Sequence, residues 1–147
     1  HRVKLAIFIL WYRIKSIPLQ KRKETVKKHY LVDNGLLHLF INNPDTLLLE
    51  NLCAITLYKK YGESLFYFNK SIEVDFYVPD EGLAIQASYR MSDKTTLERE
   101  MRALEALHSF KPLTKAIIIT YEDEAILEYK GLEIEVKPIW KWMLDSQ

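Results

Sequence analysis

The stretch of the chain with the fewest ways to fold is residues 71–90, SIEVDFYVPDEGLAIQASYR. Ile72, Val74, Phe76 and Val78 recur at every second position, and Leu83, Ile85, Ala87 and Tyr89 do the same beyond Pro79-Asp80-Glu81-Gly82. A period of two is the period of a strand, and a Pro-Asp-x-Gly run supplies turn chemistry, so the stretch predicts an antiparallel hairpin. The turn pairs Val78 with Leu83, which sets Asp75 opposite Gln86 and Glu73 opposite Ser88. Glu73 and Asp75 then share the polar face, away from the four apolar residues of their strand. One wet face is ordinary in an antiparallel sheet, so the alternation does not by itself require a site.

The rest of the chain fits around this hairpin. Asn42-Asn43-Pro44-Asp45 marks a loop with Asp45 as N-cap, and a helix is expected from about Thr46 to Lys60, ending before Gly62. A strand over 64–69 precedes the hairpin strands at 72–78 and 83–89. A second helix is expected over 94–110, where Leu97, Met101, Leu104 and Leu107 recur at helical spacing. KAIIIT, 115–120, reads as a buried strand, and AILEYKGLEIEVKPIW as a hairpin turning at Lys130-Gly131. Pro138 then opens a short closing helix, with Trp140 and Trp142 packing on the hairpin rather than serving as platforms for bases. The result is an α/β domain, one sheet covered by helices.

LAIFILWY, 5–12, is too short to cross a membrane and is expected to be a buried strand. SIPLQKRKETVKK, 16–28, lacks an apolar period and reads as a linker or crossing segment. Its basic run KRKETVKK, with Arg13 and Lys15 upstream, is the nearest thing to a polyanion patch and is read as solvated surface. The whole chain offers no such attraction, since 21 basic side chains balance 20 acidic ones among 147 residues. Cys53 is the only cysteine, which excludes an internal disulfide and makes a reducing, cytoplasmic setting the expectation. The four glycines form no phosphate-binding loop, so no ATP site is expected in this chain, which begins at His1 and is read as a fragment of something longer.

One acid stands out from its helix. With Thr56, Lys59 and Lys60 defining the solvent side, Glu50 falls roughly 130° from its centre, on the apolar side. A carboxylate pointing inward needs a metal, a cation, strong donors or a raised pKa. The alternative is that Glu50 sits near water in the first turns, where the helix dipole favours an acid.

A helix bearing Glu50, a strand with EVDF, a strand with IQASY and a helix with EREM resemble, in that order, the PD-(D/E)xK nuclease-like superfamily. More closely, YLVDNGLL (30–37), LLENL (48–52), EVDF (73–76), IQASY (85–89), EREMRAL (98–104) and IWKWML (139–144) resemble the C-terminal domain of unknown function of predicted prokaryotic AAA-type ATPases. The resemblance implies a restriction-endonuclease-like core of helix, three strands, helix and strand, with an added C-terminal hairpin and short helix. It also implies that residues 29–147 form the nuclease-like domain, and that residues 1–28 are a strand and linker to an ATPase domain upstream, the expected partner.

In the superfamily, two acids hold Mg²⁺ or Mn²⁺ and a lysine stabilises charge during phosphodiester hydrolysis. The resemblance carries the metal ligands onto Asp75 and Glu50. Gln86 stands where the second acid belongs and Ser88 where the lysine belongs, which marks the catalytic set as degenerate; Glu73, Arg90 and Arg99 are the candidates to substitute. Three functions stay open: an accessory or docking domain of the ATPase with a degraded metal site, a metal-dependent nuclease acting on DNA or RNA, and a protein-interaction scaffold. A basic rim around Glu50 and Asp75 would favour nucleic acid, and an acidic or apolar rim would not.

Overall fold

A computed structural model describes residues 11–16, 27–34 and 45–146. The protein is mixed α/β: eight strands form one sheet in the order β2-β1-β3-β4-β5-β6-β8-β7, and helices cover both faces. The elements in chain order are β1 (Trp11–Ser16), β2 (Lys27–Leu31), α1 (Asp45–Tyr61), β3 (Phe66–Asn69), β4 (Glu73–Val78), β5 (Leu83–Ala87), α2 (Lys94–Phe110), β6 (Lys115–Thr120), β7 (Ala125–Tyr129), β8 (Leu132–Pro138) and α3 (Ile139–Asp145). From α1 to β6 this is the expected succession of helix, three strands, helix and strand. The closing hairpin and short helix follow it.

β3, β4 and β5 run as an antiparallel meander, and β5, β6 and β8 are parallel. The β-branched run of β6 lies between two parallel neighbours with Ile118 and Ile119 fully buried, which contributes about 2 kcal/mol or more per side chain. On one face α1 and α3 pack over Tyr67, Phe76, Ile85, Ile117 and Ile119. On the other, Ala103, Leu104 and Leu107 of α2 pack over Phe68, Val74, Ala84, Ile118 and Ile134. Asp93 caps α2, its carboxylate accepting from the Thr95 N–H and the Thr96 hydroxyl.

The β4–β5 hairpin has the expected register at its turn, Val78 with Leu83, followed by Phe76 with Ile85. Gly82 closes that turn in the left-handed region, φ 58°, where a β-carbon would press on Thr114. The expected sharing of faces along β4 is corrected. Against β3, Phe66 faces Tyr77 but Phe68 faces Val74, so three residues of β4 span what two residues of β3 span. This bulge at Asp75-Phe76 flips the alternation. Val74 therefore packs under α2, whereas Phe76 and Val78 pack under α1 and α3.

Several boundaries also move. β5 ends at Ala87 rather than residue 89. Its pairing with β4 runs only from Val78–Leu83 to Phe76–Ile85, so the expected pairing of Glu73 with Ser88 is not made. Asp45 belongs to the first turn of α1, and Pro138 ends β8 and caps α3 instead of starting it. Trp142 is buried, but in the cluster beneath α1 and α3 rather than with the hairpin's Leu132, Ile134 and Val136 on the other face, and Trp140 is 59% exposed. The first strand covers Trp11–Ser16 and sits between β2 and β3, inside the sheet, while residues 5–10 of its expected span lie outside the described residues. Lys27 and Lys28, read as linker, belong to β2, so the expected division after residue 28 falls within a strand. The remainder of the linker, 17–26, lies outside the described residues.

Candidate functional site

Helix α1 places Glu50 toward the sheet, with its side chain 18% exposed, as its helical position requires. The bulge in β4 turns Asp75 to the same side of the sheet, with 16% exposure, and leaves Glu73 nearer the rim. Between these three acids stands a cation that the sequence reading placed on the solvated surface. The Lys28 ammonium of β2 lies 3.4 Å from Glu50 Oε1 and 3.4 Å from Asp75 Oδ1, and it pairs with Glu73 Oε1. Its nitrogen also stands 5.3 Å from the centre of the buried Tyr67 ring.

Strand β2 is held in position for this by α1. Asn51 donates to the Leu31 carbonyl and accepts from the Leu31 N–H, both at 2.8 Å, a side-chain imitation of strand pairing. Three residues and one residue before Leu31, and on the face opposite His29, Lys28 and Tyr30 point at the acids. The Tyr30 hydroxyl donates to Glu50 Oε1 at 2.7 Å, and its ring packs on Phe76.

The expected second acid and lysine positions do something else. Gln86 Oε1 accepts from the Asp75 N–H at 2.7 Å and its amide nitrogen donates to the Glu73 carbonyl at 2.9 Å. The side chain thus replaces the ladder bonds that the bulge removes. Asp75 Oδ2 completes the exchange by accepting from the Ala87 N–H. Ser88, buried beyond the strand end, reaches only toward the Arg90 carbonyl. Of the substitute cations, Arg99 pairs with Glu100, and Arg90 lies over the Tyr89 ring, which stacks on Tyr121. Glu73, by contrast, does join Glu50 and Asp75.

The electrostatics follow from three acids sharing one ammonium. Burial works against the Lys28 charge, but Asp75, Glu50 and Glu73 outweigh it and hold the ammonium above its ordinary pKa. Burial, and then the Glu50 charge, push the Asp75 carboxyl up to about 7 against the pull of Lys28 and the Ala87 N–H. Burial and Glu50 likewise raise the Tyr30 phenol. The cluster opens on a cleft of about 450 Å³ that Glu100, Arg99 and Arg102 also line. Its four carboxylates face two guanidinium groups and the Lys28 ammonium, so its walls carry no excess of positive charge.

Glu50 and Asp75 are the right donors for Mg²⁺ or Mn²⁺, and the place between their oxygens is taken by the Lys28 ammonium, 3.4 Å from each. Among the described residues no three His, Cys, Asp or Glu side chains are grouped to hold a metal. Comparison of the chain with family models, curated proteins and solved structures finds no match.

Lys28 was the residue missed by sequence reasoning. It lies in KRKETVKK, where so many positive charges obscure any period. The available signal was in the next residues, since KKHYL places Lys28 and Tyr30 on one side of a short strand.

Proposed function

We propose that this chain is a nuclease-fold accessory domain of a larger ATPase, in which an internal ammonium stands in the seat of a metal and the site serves docking rather than hydrolysis. The observation that carries the reading is Lys28 Nζ centred between Glu50 and Asp75. Gln86 supports it, because its amide is bound into the backbone of β4, and Ser88 supports it by facing away from the acids. The cleft adds a further reason, for a phosphate backbone is attracted by clustered cations and this cleft has no excess of them. The restriction-endonuclease-like core is supported by the succession from α1 to β6 and by Glu50 and Asp75 meeting around one ammonium. The ATPase link rests on the six sequence motifs alone.

A second reading, a metal-dependent nuclease, draws on the same lysine. An ammonium beside two metal-binding acids is what the superfamily's lysine supplies, and here it would come from β2 instead of β5. In that case Lys28 moves aside when the ion enters, Glu50 and Asp75 hold it, and Lys28 orients the phosphate.

Calorimetric titration with Mn²⁺ separates the two. The docking reading expects no binding to the parent at millimolar ion, binding once Lys28→Met vacates the seat, and its loss again in Lys28→Met with Asp75→Asn. Mn²⁺ binding by the parent, with oligonucleotide cleavage abolished by Asp75→Ala, would establish the nuclease instead.

A further inference from the structure

We propose that the cleft between α1 and α3 binds a small organic acid, with its carboxylate held among Lys60, Lys115 and Lys137 and its apolar body laid on Trp142 and Ile117. The cleft has a volume of about 350 Å³, enough for a small ligand, and lies over β5 and β6. No residue lines both this cleft and that of Glu50 and Asp75, so neither site depends on the other. Leu57, Leu83, Ile117 and Trp142 form its base, and all but Leu83 are buried members of the core beneath α1 and α3. Such a base takes the apolar part of a ligand, and the polar groups around it decide which head group enters.

Those groups suit an anion. Lys137 is the most buried of the three cations, its side chain 11% exposed, and it pairs with Glu135 at 2.9 Å and with Asp145 at 2.8 Å. Lys115 reaches the other oxygen of Glu135 at 3.2 Å, so two ammonium groups share one carboxylate. Lys60 is exposed and has no carboxylate partner among the described residues; its ammonium lies 5.2 Å from the centre of the Tyr61 ring. Glu81, the other acid of the lining, is engaged by the Tyr61 hydroxyl at 2.7 Å. Asp145 is the replaceable member. It ends α3, where the helix dipole disfavours a negative charge, and its side chain is 57% exposed. A carboxylate of the chain thus occupies the seat on Lys137 that a ligand's carboxylate would take. The incoming acid keeps that ion pair, adds Lys60 and covers Trp142, while Asp145 returns to water. A monocarboxylate fits this exchange better than a phosphate, whose second charge would face Glu135 and Glu81.

Phenylacetate is the probe, with phenylacetamide as its neutral counterpart, and the indole N–H signals of Trp142 and Trp140 are followed by NMR. Trp142 should shift and saturate with a Kd of about 1 mM, as expected for a ligand of so few atoms, while the exposed Trp140 stays in place. The amide should bind about tenfold more weakly. Lys60→Gln should weaken the acid about threefold, and Asp145→Asn, which removes the internal competitor, should strengthen it about threefold. A tightened site does not come from a damaged fold, so the second variant separates the proposal from misfolding. Acid and amide binding alike, a Trp142 signal unmoved at probe concentrations several-fold above that Kd, or an Asp145→Asn variant that binds no better than the parent overturns the proposal.

Discussion

At Asp75 burial and the Glu50 charge act in the same direction, and Lys28 acts against them. Its carboxyl faces Glu50, Lys28 and the Ala87 N–H, and the balance pushes it up to about 7. An unfolded aspartate titrates near 3.9. Between these values the folded chain holds a proton that the unfolded chain has released, so stability falls as pH rises. The contribution is fully present below about 4 and lost as pH passes through about 7. In EDTA, denaturant unfolding of the parent should therefore lose stability from about pH 4 to 7 relative to Asp75→Asn, with a slope of at most about 1.4 kcal/mol per pH unit. Lys28 remains charged throughout and does not alter the sign. Equal slopes for parent and variant would mean that water relaxes the cluster and Asp75 is ionised at neutral pH. Glu50 was legible in the sequence because a helix has a fixed period and an acid on its apolar side stands out. Lys28 was not, because a lysine among lysines has no contrast.

At the scale of the element, the bulge in β4 decides what the site can be. It turns Phe76 and Val78 under α1 with Asp75, and it breaks the ladder that Gln86 then repairs. Gln86→Leu keeps the volume but strands the Asp75 N–H and the Glu73 carbonyl in a part-buried place. A loss of about 2–3 kcal/mol is expected, read as a lower denaturant midpoint at unchanged slope. A loss below 0.5 kcal/mol would show that the bulge holds without its brace. The hairpin, its register at Val78 and the order of elements could all be read from alternation and turn residues. The bulge could not, because an inserted residue changes which face the chain presents without leaving a glycine or proline to mark it. That is also why Gln86 reads in sequence as a failed acid and in structure as a backbone partner.

For the whole molecule the deciding quantity is the distribution of charge. A net charge of +1 gives no long-range attraction to nucleic acid, and the cleft that the resemblance would fill with a phosphate backbone carries more carboxylates than guanidinium groups. Nonspecific affinity grows with the number of phosphates neutralised and falls steeply with salt. The expectation is no binding tighter than about 10⁻⁴ M to labelled single-stranded or duplex oligonucleotides at physiological salt, the weak limit of nonspecific association. Fluorescence anisotropy at low and high salt measures it. Tighter binding with a steep salt dependence would redirect attention from the cleft to Lys21, Arg22 and Lys23, which lie outside the described residues and form the densest basic run of the chain. Reversing those three charges would then abolish the affinity, whereas reversing Arg99 and Arg102 would leave it. The opposite pattern, loss on reversing the two cleft arginines, would place the phosphate backbone beside Asp75 and overturn the docking reading in favour of the nuclease.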